Sequence, residues 1–152
     1  MTESARFRAP RPGEFFWFAD PGVAPGQRNR HPHLALCVGQ LEGEDAVVCV
    51  LISSNIGKLK FLEENEYQFF HEGSYPALSV DCAASCRDAR IYKFKLLKKR
   101  HDELGRTGYS VDSNGPVEKK ILQEVAEKVL HSRNVSEEIK RAVKKRLGDI
   151  AP

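Results

Sequence analysis

Gln27, Arg28, Asn29, Arg30, His31 and His33 crowd into one short stretch around Pro32, and Ser53, Ser54 and Lys58 follow a little over twenty residues later. An imidazole exchanges protons near neutrality, with an intrinsic pKa of about 6.5. A guanidinium stays charged and grips an oxyanion through two parallel hydrogen bonds. Together these groups suit chemistry on a phosphate ester. Such a reaction needs a base at the attacking hydroxyl, an acid at the leaving oxygen and a cation on the phosphate oxygens. His31 can serve as base or acid, Arg28 or Arg30 can grip the phosphate, and Ser53 can orient one of its oxygens. A plainer alternative stays open. Loop arginines are commonly solvated, His31 can simply hydrogen-bond the backbone, and Ser53-Ser54-Asn55 also reads as an ordinary strand-ending turn.

The elements that must position these groups are two apolar runs and a loop. Glu14-Phe15-Phe16-Trp17-Phe18 is bounded by Gly13 and by Asp20-Pro21, which are strand signals. Pro21, Gly22, Pro25 and Gly26 forbid a helix in the segment that follows. Leu34–Val38 and Ala46–Ile52 form an antiparallel pair across a turn-rich connection, Gly39 to Asp45. Loops set on a rigid sheet are where binding and catalytic groups concentrate. Side chains alternate along a strand, so Phe16 and Phe18 share one face and Phe15 and Trp17 the other. Both faces are then covered by core, loop or partner, or one of them stacks flat rings.

Composition narrows the classes. The 152 residues suit one domain, or a small domain with an appendage. A hydrophobic share of 41% is enough for a core, and a net charge of only +3 does not by itself mark a nucleic-acid binder. No apolar run approaches the roughly 20 residues that cross a bilayer. Residues 1–12 are a polar, loosely held lead-in without an apolar signal core. The expectation is a cytoplasmic protein with no membrane partner. Cys37 and Cys49 lie in apolar strands, whereas Cys82 and Cys86 form Cys-x-x-x-Cys without a second pair. A metal site completed by His31, His33 or His71 is the alternative, but all four cysteines read as structural thiols, and no metal or cofactor is expected.

Further along, Ile56–Leu62 reads as a polar loop or short helix, Glu66–His71 as a short strand or an edge, and Leu78–Cys82 as a half-buried strand by its alternation. Arg90–Leu97 is the last strand expected. Residues 98–115, a basic run and then a Gly/Ser/Asp/Asn stretch, read as a linker. Asn114 and Pro116 mark the start of a helix over 116–131, whose Val117, Ile121, Leu122, Val125 and Val129 make an apolar stripe. Ser136 caps a second helix that Gly148 ends, giving a two-helix segment over 116–148 that packs on the barrel or on a partner. Frequent turns between short strands argue for a small, strongly bent β-barrel over residues 13–97.

These landmarks resemble the PemK/MazF family of toxin endoribonucleases. The family's opening has a glycine-acidic pair, an aromatic strand, an acidic-Pro turn, a Gln-and-basic loop and a Pro that starts an apolar strand. Here these are Gly13-Glu14, Phe15–Phe18, Asp20-Pro21, Gln27 through His31, and Pro32 before Leu34–Val38. Ser53-Ser54 stands where the family's next strand ends in a hydroxyl motif, and Ser79-Val80-Asp81-Cys82 resembles a later segment. The resemblance spans roughly residues 11–97. It implies an SH3-like barrel, usually dimeric, that cuts single-stranded RNA without metal, with an antitoxin protein as a partner; with the C-terminal two-helix segment read above, the expected fold is mainly β with α. It implies catalytic roles for Ser53, at the family's threonine, and for His31 with Arg30, at the family's arginine. Gln27, Arg28, Asn29, Ser54 and Lys58 are then substrate-binding. The family's acidic residue before the glutamine is Gly26 here, and an imidazole stabilises anionic charge only when protonated. A non-catalytic barrel that holds RNA or a protein partner is therefore the rival reading.

Overall fold

Ala46–Ile52 is an unbroken run of small and branched apolar side chains, and with Ser53 it becomes the strand on which the sheet is built. The computed structural model describes residues 7–19, 33–41, 43, 45–54 and 66–150, with side chains as far as 146. Its strands are β1 (Phe15–Phe18), β2 (His33–Leu41), β3 (Ala46–Ser53), β4 (Tyr67–Phe70), β5 (Cys82–Ser85), β6 (Arg90–Lys93) and β7 (Tyr109–Val111). Its helices are α1 (Phe94–Leu104), α2 (Lys119–His131) and α3 (Glu137–Ile150). The strands make one seven-stranded sheet in the order β4-β5-β3-β2-β1-β7, every pairing antiparallel. β3 serves two neighbours on its outer side. Its first half pairs with β6, Ala46 opposite Lys93, and its end pairs with β5, Ser53 opposite Ala83. The expected β2–β3 hairpin is present, with a register slip between Cys37 and Gly39. The architecture is thus an antiparallel sheet joined to helices, as the mainly-β-with-α expectation required.

Two cores flank the sheet. Phe15, Leu36, Val38, Val48 and Val50 point to the side covered by α2 and α3, where Val125, Val129, Ile139 and Val143 are buried against them. Phe16, Phe18, Ala35, Cys37, Val47 and Cys49 point to the other side, where Leu97 of α1 and Tyr109 close over them. The strand alternation expected for β1 is what is observed. Phe15, Phe16 and Phe18 are each at most 2% exposed, which removes them as a stacking platform. The two C-terminal helices pack on the sheet of their own chain.

Gly13 ties three segments together. Its φ of +94° is the left-handed region, and a Cβ there would lie 3.0 Å from Pro116 Cβ, so glycine is required. Its N–H donates to Cys37 O at 2.7 Å, and its carbonyl accepts from Val117 N at 2.8 Å. Glu14 beside it accepts from Arg8 Nη1 and Nη2 at 2.8 and 3.0 Å and from Arg11 N at 2.7 Å. Tyr109 donates its phenolic hydrogen to the carbonyl of Arg8.

Several expectations are corrected. Residues 7–12 of the lead-in are anchored, with Pro10 fully buried and Arg8 held by Glu14. The strand read over Leu78–Cys82 starts only at Cys82, because residues 71–81 close turns on themselves. Leu78 N donates to Tyr75 O, Gly73 N to Leu78 O, and Glu72 N to the Asp81 carboxylate. The strand read over Arg90–Leu97 stops at Lys93 and turns into α1. Phe94 N donates to Asp45 O and ends the ladder, after which ion pairs Lys98–Asp102 and Arg100–Glu103 run at helical spacing.

Residues 98–115 are not a bare linker, since they hold most of α1 and then β7, which pairs with β1. Tyr109, 2% exposed, is the anchor that fixes that strand. α2 begins at Lys119, and Asn114 does not cap it but spends its amide on Asp112 Oδ1. Ser136 does cap α3, accepting from Ile139 N at 3.4 Å. That helix continues through Gly148 to Ile150.

Candidate functional site

The antiparallel β2–β3 register sets Ala35 opposite Leu51 and Leu36 opposite Val50. β2 therefore begins, at His33, on the same sheet edge where β3 ends, at Ser53. β1 reaches that edge as well, because Phe18 pairs with His33. The end of β1 and the start of β2 thus lie on the edge where β3 ends, with β5 on the far side of β3 through Ala83. His33 is exposed and packs its ring on Phe18, centroids 5.7 Å apart, and Phe18 rests on Tyr92 at 4.7 Å. Ser53 is half-buried and Ser54 exposed, so the second hydroxyl is the more open to solvent.

Of the sequence-predicted groups, Ser53 and Ser54 are thereby brought to one edge together with His33. Gln27, Arg28, Asn29, Arg30, His31 and Lys58 lie outside the described residues.

The four thiols behave as structural groups. Cys37 and Cys49 face each other across β2 and β3, both fully buried, and Cys82 and Cys86 are also buried and unpaired. Burial pushes Cys37 and Cys86 up to about 12 and raises Cys49 and Cys82 as well, since a thiolate is costly without water. Among the described residues no three His, Cys, Asp or Glu side chains gather as a metal-binding group. No described helix is long and apolar enough to cross a membrane.

Away from that edge a concavity of about 500 Å³ lies against β7, lined by Arg8, Trp17, His101, Arg106 and Asp112 together with β7 itself. Sequence reasoning missed it because residues 98–115 were read as linker. The alternation Tyr109-Ser110-Val111 was the available signal, too short to register as a strand. Compared with known proteins, the chain matches no family model and no curated protein sequence.

Proposed function

We propose that the chain is a toxin-like endoribonuclease that cuts single-stranded RNA by metal-independent transesterification on an SH3-like barrel. One observation carries the reading: the register that sets the start of β2 and the Ser53 end of β3 on a single edge. In the sequence only two peptide bonds separate His31 from His33, the first residue of β2, and this adjacency is what links the groups ahead of Pro32 to the reading. The division of β3 between β6 along its first half and β5 at its end supports the barrel reading.

In this reading His31 takes the proton from a ribose 2′-hydroxyl, whose oxygen attacks the adjacent phosphorus. The P–O5′ bond breaks, and the leaving oxygen is protonated by a conjugate acid or by water. The products are a 2′,3′-cyclic phosphate and a free 5′-hydroxyl. Arg30, with Arg28, holds the phosphate oxygens as negative charge builds, and Ser53 orients one of them. Gln27, Asn29, Ser54 and Lys58 contact the flanking nucleotides. The protein acts in the cytoplasm, where an antitoxin protein and a second copy of the chain are the partners this reading calls for.

Gly26 and His31, standing where the resemblance calls for an acid and an arginine, favour a second reading. The same edge would then bind RNA or a protein partner without cutting. Incubating the purified chain with mixed single-stranded RNA in EDTA separates the two. Fragments ending in cyclic phosphate support the nuclease, intact but retarded RNA supports the binder, and unaltered, unretarded RNA rejects both RNA readings.

A further inference from the structure

The concavity against β7 uses none of the groups assigned above. The strand order β3-β2-β1-β7 puts it three strand spacings, about 14 Å, from the β3 end. Trp17 on β1 forms part of its wall, half-buried, with Ser110 of β7 paired beside it. At one rim stands Arg106, exposed and making no hydrogen bond or ion pair among the described residues. Arg8, on the same lining, is already committed to Glu14. Asp112 is buried, and Asn114 satisfies only its Oδ1, through N at 3.4 Å and Nδ2 at 2.6 Å. Oδ2 accepts nothing among the described residues.

A flat indole, an uncommitted guanidinium and a spare carboxylate oxygen on one hollow fit one kind of ligand. We propose that this hollow binds a nucleotide whose base carries an exocyclic amino group. The base stacks on Trp17, its amino group donates to Asp112 Oδ2, and its phosphate pairs with Arg106. A purely anionic ligand would meet the buried Asp112 carboxylate, and a purely aromatic one would leave Arg106 unused. The volume of about 500 Å³ is in the range of small-ligand sites.

Trp17 is the chain's single tryptophan, so its fluorescence reports on this hollow directly. Titration of the full chain with CMP should give saturable quenching. UMP, which lacks the amino group, should bind about fivefold or more weakly. Arg106→Gln, at an exposed position, should weaken CMP about tenfold. Ser53→Ala should leave the CMP titration unchanged whether or not the chain cuts RNA, so this site stands or falls separately from the nuclease reading. Absence of saturable binding by both fluorescence and calorimetry overturns the proposal. So does equal affinity for CMP and UMP, or an unchanged affinity in Arg106→Gln.

Discussion

Arg8 and Glu14 meet as a two-pronged pair, Nη1 to Oε1 at 2.8 Å and Nη2 to Oε2 at 3.0 Å, at the point where the N-terminal segment crosses the start of β1. Burial pushes the Glu14 carboxyl up, but the hydrogen bonds from Arg8 and Arg11 N and the nearby positive charge outweigh it and hold the carboxyl below its usual range. In the unfolded chain the group titrates at about 4.3. Its folded value is lower, so its stabilising contribution is complete above that pH. It is lost as pH falls through the folded value. Glu14→Gln should lower stability at pH 7 by about 1–2 kcal/mol, reduced because Arg8 is 45% exposed. The difference between variant and parent in urea unfolding should shrink as pH falls below about 4.3 and through the lower folded value; a constant difference would remove the charge from the explanation.

Gly13 adds a backbone requirement next door. Gly13→Ala forces a side chain into a φ of +94° and to 3.0 Å from Pro116 Cβ. The expected cost is about 1–3 kcal/mol, read as a lower midpoint in thermal or urea unfolding. A variant as stable as the parent would show that Pro116 and the approach to α2 relax freely.

The catalytic assignments are tested one residue at a time. His31→Ala should abolish RNA cleavage with the circular dichroism spectrum and unfolding midpoint unchanged. Ser53→Ala should lower the cleavage rate by about tenfold to a hundredfold, the loss expected for one polar contact to the transition state. Undiminished cleavage by His31→Ala removes that imidazole from the mechanism.

The thiols should be chemically silent. With Cys37 and Cys86 pushed up to about 12 and Cys49 and Cys82 raised by burial, alkylation of the native chain at pH 8 should be slow at every cysteine. All four should label on unfolding, counted by intact mass. Rapid native labelling of Cys82, the least deeply buried of the set at 3% exposure, would place it in a more open site than the sheet provides.

α3 belongs to the fold, since Val143 is fully buried in the helix-covered core. Val143→Asp should therefore cost more than about 3 kcal/mol, the usual penalty for an unpaired buried charge. If that variant unfolds at the parent's midpoint, the helix serves a partner and not its own sheet.

The aromatic alternation of β1, the β2–β3 hairpin, the apolar stripe of α2, the Ser136 cap and the burial of the cysteines were all legible in the sequence, because each rests on local periodicity or on the chemistry of one side chain. Tertiary structure decided the rest. Whether Arg90–Leu97 continued as a strand turned on Asp45 O capturing Phe94 N, a contact between residues far apart in the chain. Tyr109–Val111 became a strand only because β1 offered an open edge and the Tyr109 ring had a core to fill. The gathering of Trp17, Arg106 and Asp112 around one hollow likewise comes from strand order, which no window of neighbouring residues encodes.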